Sequence, residues 1–140
     1  MSAKFFLDTN IFVYSLDQTA PVKRAKAIEL IREGSSTTAA VVSHQVVQEF
    51  FNVALRKMAV PMRQQDAEIY LRQVFMPLMR VTFSQELCAG ALQVFSRFNL
   101  SWYDSLIVAA AQLAQCQVLY SEDMQHGQSF GSLRVVNPFL

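Results

Sequence analysis

The stretch Lys4-Phe5-Phe6-Leu7-Asp8-Thr9-Asn10-Ile11 decides how the rest of the chain is read. An apolar run is broken by Asp-Thr-Asn and then resumes. Such a run near a terminus predicts a buried central strand over residues 4–8. Asp8 then falls at the carboxyl end of that strand, where open α/β sheets place their ligand sites. Thr9 or Asn10 is positioned to cap the helix that follows.

Working outward, strands and helices alternate. A short helix is expected over Thr9 to Leu16, with a polar break from Asp17 to Pro21. An amphipathic helix follows over Val22 to Arg32, with Gly34 as its stop. Thr37 to Val42 reads as the second strand, and Ser43 as the cap of a helix from His44 to Lys57, closed off by Pro61. Gln64 to Phe75 reads as a helix ended by Pro77, and Leu78 to Phe83 as the third strand. Ser84 caps a helix reaching Phe98, and Asn99 to Ser101 breaks it. Another helix runs from Trp102 to Gln115. Val118 to Tyr120 and Leu133 to Val136 are the last strands, joined by a polar loop from Ser121 to Ser132. The pattern predicts one α/β domain over residues 1–140, a largely parallel sheet with helices on both faces.

Composition narrows the function. The 140 residues are 52% hydrophobic and 16% charged, with a formal net charge of +1. That balance excludes a strongly basic nucleic-acid binder but allows local basic patches. The apolar excess predicts an oligomer or partner surface beyond the core. Cys88 and Cys116, the only cysteines, sit in apolar helical contexts and read as reduced thiols. No secretory signal is visible, and no apolar stretch is long enough to span a membrane. The expected location is the cytoplasm.

Two acids stand where burial disfavours them. Glu49 shares the apolar stripe of its helix, beside Phe50, and Asp104 precedes Ile107 and Val108 by three and four residues. An uncompensated buried carboxylate costs several kcal/mol. The bland alternatives differ: Asp8 as a helix cap, Glu49 in a salt bridge with Arg56, Lys57 or another basic residue, Asp104 as a helix-dipole acid, Asp123 as a loop acid beside Glu122. Together, however, Asp8, Glu49, Asp104 and Asp123 all fall where one edge of an α/β sheet gathers them. Like charges at ~4 Å repel by about 4 kcal/mol at an effective dielectric near 20. Four such groups call for a cation. All-oxygen donors without a His or Cys cluster select Mg²⁺ or Mn²⁺.

Four segments carry a resemblance: Phe6-Leu7-Asp8-Thr9-Asn10, the Val-Val-Gln-Glu-Phe-Phe-Asn run around Glu49, Trp102-Tyr103-Asp104-Ser105-Leu106-Ile107, and Leu119-Tyr120-Ser121-Glu122-Asp123-Met124-Gln125-His126-Gly127. In this order they resemble the PIN-domain nucleases, most closely the VapC-type toxins of toxin–antitoxin pairs. The resemblance implies a metal-dependent endoribonuclease that leaves 5′-phosphate and 3′-hydroxyl ends. It implies Asp8, Glu49, Asp104 and Asp123 as the catalytic acids, with Asp8, Asp104 and Asp123 on the metal. Thr9, Asn10 and Ser121 are implied as supporting groups. It further implies a homodimer and a cognate antitoxin partner.

Candidate RNA-binding cations are Lys23, Arg24 and Lys26 on the second helix, and Arg56, Lys57 and Arg63 around Pro61. Phe50, Phe51, Tyr70 and Phe75 are candidates for a partner groove or a dimer seam, against ordinary core packing. Trp102 and Tyr103 are candidates for stacking on a base, and His126 for approaching a phosphate. Two other readings compete. One is a PIN-type nuclease acting on DNA or branched nucleic acid. The other is a non-catalytic metal-binding regulatory module of the phospho-receiver kind, which wants a Lys on its last strand. Here that strand is Leu133-Arg134-Val135-Val136, and no Lys follows residue 57.

Overall fold

The computed structural model describes residues 3–140; Met1 and Ser2, inside the expected domain, lie outside the described residues. The elements run β1 (Phe5–Leu7), α1 (Thr9–Tyr14), α2 (Pro21–Thr37), β2 (Ala40–Ser43), α3 (His44–Ala54), α4 (Gln64–Tyr70), a π-helical turn (Leu71–Phe75), α5 (Met76–Leu78), β3 (Met79–Val81), α6 (Gln85–Arg97), α7 (Trp102–Leu113), β4 (Val118–Tyr120), β5 (Ser129–Phe130) and β6 (Leu133–Val136). The sheet order is β3-β2-β1-β4-β6-β5. Every pairing is parallel except β5 with β6. The α/β class and the largely parallel sheet match the sequence expectation.

The order matters for function. From β1 the chain moves outward through β2 to β3, then returns across the sheet to β4 on the other side of β1. The reversal falls between β1 and β4. In open α/β sheets the crevice at such a switch point, outside the strand carboxyl ends, is where ligands sit. Asp8 ends β1 there and Ser121 ends β4. The two exits are tied by Asp8 N–H donating to the Tyr120 carbonyl at 3.0 Å.

All three β1 residues are buried, as a central strand covered on both faces requires. Phe12 of α1, Phe50 of α3 and Phe75 are fully buried. Phe50 stacks on Tyr70 with ring centroids 5.0 Å apart and planes 7° from parallel. It meets Phe75 edge-on at 5.0 Å. Phe50 and Phe75 therefore belong to the core rather than to a partner groove or seam. Phe51 and Tyr70 are half-buried around them. Cys88 and Cys116 are both free thiols, and burial pushes Cys116 up to about 11.

Several boundaries depart from expectation for local reasons. Gly34 does not stop α2, which continues to Thr37 and turns out at Thr38, a left-handed residue at φ 57°. Gly34 instead lets the helix close on the sheet: a Cβ there would stand 2.2 Å from the Ala40 Cβ and 3.2 Å from the Phe5 ring. Gly34→Ala should therefore lower stability by about 1–3 kcal/mol, despite a helix-propensity gain of about 1 kcal/mol. Urea unfolding reads this; an unchanged midpoint would show that the two layers separate freely.

Pro77 does not end its helix either. It cannot donate to the Gln73 carbonyl, and the chain widens into the π-helical turn before one more turn, α5. α3 stops at Ala54 rather than Lys57. Lys57 N–H and Met58 N–H both turn back to the Val53 carbonyl, and Met62 N–H takes the Ala54 carbonyl. The expected loop from Ser121 to Ser132 contains β5, paired to β6 through the two-residue turn Gly131-Ser132, with Gly131 at φ 63°.

Candidate functional site

Asp8 is the buried centre of the site, 6% exposed. It is also the N-cap of α1: its Oδ1 accepts from Thr9 N–H at 2.7 Å. Its Oδ2 accepts from the Ser121 hydroxyl at 2.8 Å. Ser121 is fully buried, and its N–H is held by the Val136 carbonyl at 3.1 Å. Burial raises the Asp8 carboxyl to about 6. The hydrogen bonds from Ser121 and Thr9 oppose that rise, and the nearby charges of Glu49 and Asp123 add to it.

The other acids arrive from separate elements. Glu49 projects from mid-α3, and the Thr9 hydroxyl donates to its Oε1 at 3.0 Å. Asp123 follows β4 and accepts from the Asn10 amide at 3.2 Å. Asn10 Oδ1 is buried without a partner among the described residues. Asp104 lies in the first turn of α7, capped by Ser101, whose Oγ accepts from Asp104 N–H at 3.1 Å. Half-buried, Asp104 is raised above the ordinary carboxylate range by desolvation, against the Ser101 contact and with the Asp123 charge adding. Asp8 thus feels Glu49 and Asp123, and Asp104 feels Asp123. Both capping alternatives, for Asp8 and for Asp104, are met alongside this convergence.

The ion pairs among the described residues are Lys23 with Glu122, Lys26 with Glu29 and Arg63 with Asp66. None engages the four acids, so the salt bridge weighed for Glu49 with Arg56 or Lys57 is not formed. The pairs also change the reading of the basic residues. Lys23 donates to Glu122 at 2.5 Å and lies over the Tyr14 ring, and the Tyr14 hydroxyl donates to Glu122 at 2.7 Å. Burial disfavours ionised Glu122, but these two hydrogen bonds outweigh it and hold the carboxyl below its ordinary range. Lys23 is therefore a brace for the loop that carries Asp123. Glu122 is the functional neighbour that sequence reasoning missed; its adjacency to Asp123 was the available signal. Arg24, Arg56 and Lys57 are exposed and outside these pairs. His126 accepts at Nδ1 from Asn137 N–H at 3.0 Å, which fastens the same loop to the end of β6.

A cleft of about 550 Å³ opens between Thr9, Asn10, Tyr14, Glu49, Glu122 and Asp123. Its acidic side chains, among them Glu49, Glu122 and Asp123, offer oxygens and no nitrogen or sulfur ligand stands among them, which suits a hard cation. Among the described residues no group of three or more His, Cys, Asp or Glu side chains is disposed to hold a metal directly. Asp8 is buried, Asp123 lines the cleft, and Asp104 is half-buried in the first turn of α7, outside the cleft's lining. The set fits a cation held by one or two carboxylates with water completing its shell, the habit of Mg²⁺.

The chain matches the PIN domain family over residues 5–128, and it belongs to that family. PIN domains are generally metal-dependent nucleases. Membership sets aside the receiver-like alternative. Comparison with curated proteins gives no match. Among solved structures, a toxin–antitoxin complex from Klebsiella pneumoniae is 19% identical over 98% of both chains, with a TM-score of 0.66. VapBC2 from Rickettsia felis, bound to a DNA fragment from its promoter, is 16% identical over 94% of this chain and 96% of that one, with a TM-score of 0.66. The sarcin–ricin loop cleaving toxin VapC20 of Mycobacterium tuberculosis is 13% identical over 86% of this chain and 90% of that one, with a TM-score of 0.59. At these identities the likeness is one of fold.

Proposed function

We infer that the protein is a Mg²⁺- or Mn²⁺-dependent endoribonuclease, a VapC-type toxin held in check by a cognate antitoxin. The observation that supports this reading is pairwise: at the switch point of a PIN fold Asp8 is repelled by Glu49 and Asp123, and Asp104 by Asp123, with no cationic side chain paired to any of them among the described residues. The solved toxin structures that share the fold support the toxin and antitoxin parts of it. That VapC20 is a sarcin–ricin loop cleaving toxin favours RNA over DNA as the substrate.

A bound Mg²⁺ or Mn²⁺ supplies Lewis-acid stabilisation of charge on the phosphoryl oxygens and acidifies water. Asp8 is the anchor for it, kept in place by Ser121 and by Thr9 N–H, with Asp104 and Asp123 contributing directly or through water. Glu49, fixed by the Thr9 hydroxyl, orients the attacking water. Water adds to phosphorus as the P–O3′ bond breaks, so the phosphate stays on the 5′ side of the downstream fragment and the 3′-hydroxyl leaves. Asn10 holds Asp123 toward the cleft. Lys23 and Tyr14, acting through Glu122, keep the Asp123 loop in position.

Exposed apolar side chains on α6, among them Leu92 and Phe95, support a homodimer or antitoxin surface of the kind the composition calls for. Arg24, Arg56 and Lys57 are the proposed phosphate contacts. Changing all three to Gln should flatten the salt dependence of RNA binding by up to about two in log–log slope; an unchanged slope would remove them.

The functional test offers antitoxin-free protein equimolar single-stranded RNA and DNA of one sequence, with Mg²⁺, Mn²⁺ or chelator. The expected result is metal-dependent RNA cleavage with 5′-phosphate ends and uncut DNA. Cleavage of DNA in preference would transfer the reading to a PIN-type DNase.

A further inference from the structure

A second pocket, of about 490 Å³, adjoins the acidic cleft. Glu49 and Asn52 line both cavities, so they form the wall between them. The pocket differs from the cleft in character. Its bed is apolar, with Val81, Leu87 and Leu106, and no Lys or Arg lines it. Tyr103 and Phe83 stand at its margin, 65% and 78% exposed. Gln48 and Asn52 are exposed on the α3 side, and neither side-chain amide bonds to another described residue. Ser43 also lines the pocket. It is 2% exposed, and its hydroxyl has no hydrogen-bond partner among the described residues. Though Ser43 is the N-cap of α3, its side chain makes no capping bond.

A buried hydroxyl without a partner is destabilising unless a ligand or water completes it. Here the ligand must be flat enough to lie on Tyr103, neutral, and edged with donors and acceptors. Phosphate is disfavoured, because the pocket's one carboxylate, Glu49, repels it and no Lys or Arg offsets it, His44 being the one basic side chain in the lining. An apolar helix from a protein partner would leave the Ser43 hydroxyl unsatisfied and would set apolar surface against both amides. An unstacked nucleobase meets each requirement: aromatic faces stack on aromatic side chains, and base edges bond to amides and hydroxyls.

We propose that this pocket is a base-binding subsite for the nucleotide next to the scissile phosphate. Tyr103 is the stacking platform, and Gln48, Asn52 and Ser43 read the base edge. The inference rests on the ribonuclease reading, since a strand with its phosphate in the acidic cleft places a neighbouring base across the Glu49–Asn52 wall. It makes Gln48 and Ser43 specificity-determining residues.

The test uses ¹⁵N-labelled full chain, titrated separately with adenosine, guanosine, cytidine and uridine, which carry no phosphate. The expected result is that at least one nucleoside shifts the side-chain amide signals of Gln48 and Asn52. Tyr103→Ala, a change at an exposed side chain, should weaken that binding about five- to a hundredfold. Gln48→Ala should alter the ranking of the four. On random-sequence RNA, wild type should show a base preference at one position beside the cut that Gln48→Ala relaxes. Nucleosides that shift neither amide, or that bind Tyr103→Ala as well as wild type, overturn the proposal. A Tyr103→Ala change that lowers the sedimenting mass and leaves nucleoside binding intact also overturns it, by assigning the pocket to a second copy of the chain. Nucleoside binding at these amides without any RNA cleavage rejects the ribonuclease reading and supports the pocket.

Discussion

Asp8→Asn should melt above wild type in chelator at pH 7.5, and by less, or not at all, in saturating Mn²⁺. The carboxyl is 6% exposed, and burial raises it to about 6 from an ordinary 3.8. A folded-state value raised above the unfolded one contributes stability that is present below about pH 4 and lost as pH rises through about 6. At pH 7.5 the ionised group therefore opposes folding by about 3 kcal/mol, at 1.36 kcal/mol per unit. Asn keeps the shape and is an equally good N-cap, so the Thr9 contact survives. The expected gain is about 1–3 kcal/mol, or roughly 2–4 °C per kcal/mol in a domain of this size. It should vanish as the pH is lowered to about 4. Cation binding narrows the gap, because Mn²⁺ at a hundred times the wild-type Kd stabilises wild type by about 2.7 kcal/mol and a variant that binds at least tenfold more weakly by no more than about 1.4. RNA cleavage should fall at least about a hundredfold. Asp8→Asn melting well below wild type in chelator would mean that the carboxylate is there to hold the fold.

Phe50→Ala carries the largest expected effect on stability, a loss of about 3–5 kcal/mol. The residue is fully buried, stacks on Tyr70 and meets Phe12, Phe51 and Phe75 at centroid distances of 6.5, 5.2 and 5.0 Å. Domains are stable by only about 5–15 kcal/mol, so the variant should sit near its unfolding threshold. The link to function is direct. Phe50 follows Glu49 on α3, and its packing on Phe12 of α1 holds together the two helices that the Thr9–Glu49 hydrogen bond joins. Urea unfolding is the measurement. A loss below about 1 kcal/mol would show that the aromatic cluster repacks around the gap.

Two of the candidate acids stood out because each breaks a rule of its own element. Asp8 interrupts an apolar strand, and Glu49 sits on an apolar helical stripe. Asp104 was legible only as one of two things, and it is both, a first-turn acid and a neighbour of Asp123. The strands at Val118–Tyr120 and Leu133–Val136 lie where their apolar runs placed them. What escaped depended on contacts remote in sequence. Gly34 reads as a stop from its neighbours, yet its part is set by Ala40 and Phe5 across the layer. Lys23 reads as a free cation until Glu122, far along the chain, pairs with it. The β5 hairpin did carry a local signal, Gly131-Ser132, hidden in a polar loop. The hydroxyl of Ser43 reads as a capping group and is instead buried beside a pocket.

The central claim is that the four acids form one site that a cation completes. Calorimetric titration of Mn²⁺ into the antitoxin-free chain at pH 7.5, wild type beside Asp8→Asn, tests it most directly. The account predicts a cation site in wild type and at least a tenfold weaker one in the variant. Equal binding by both proteins, or none by either, would contradict it.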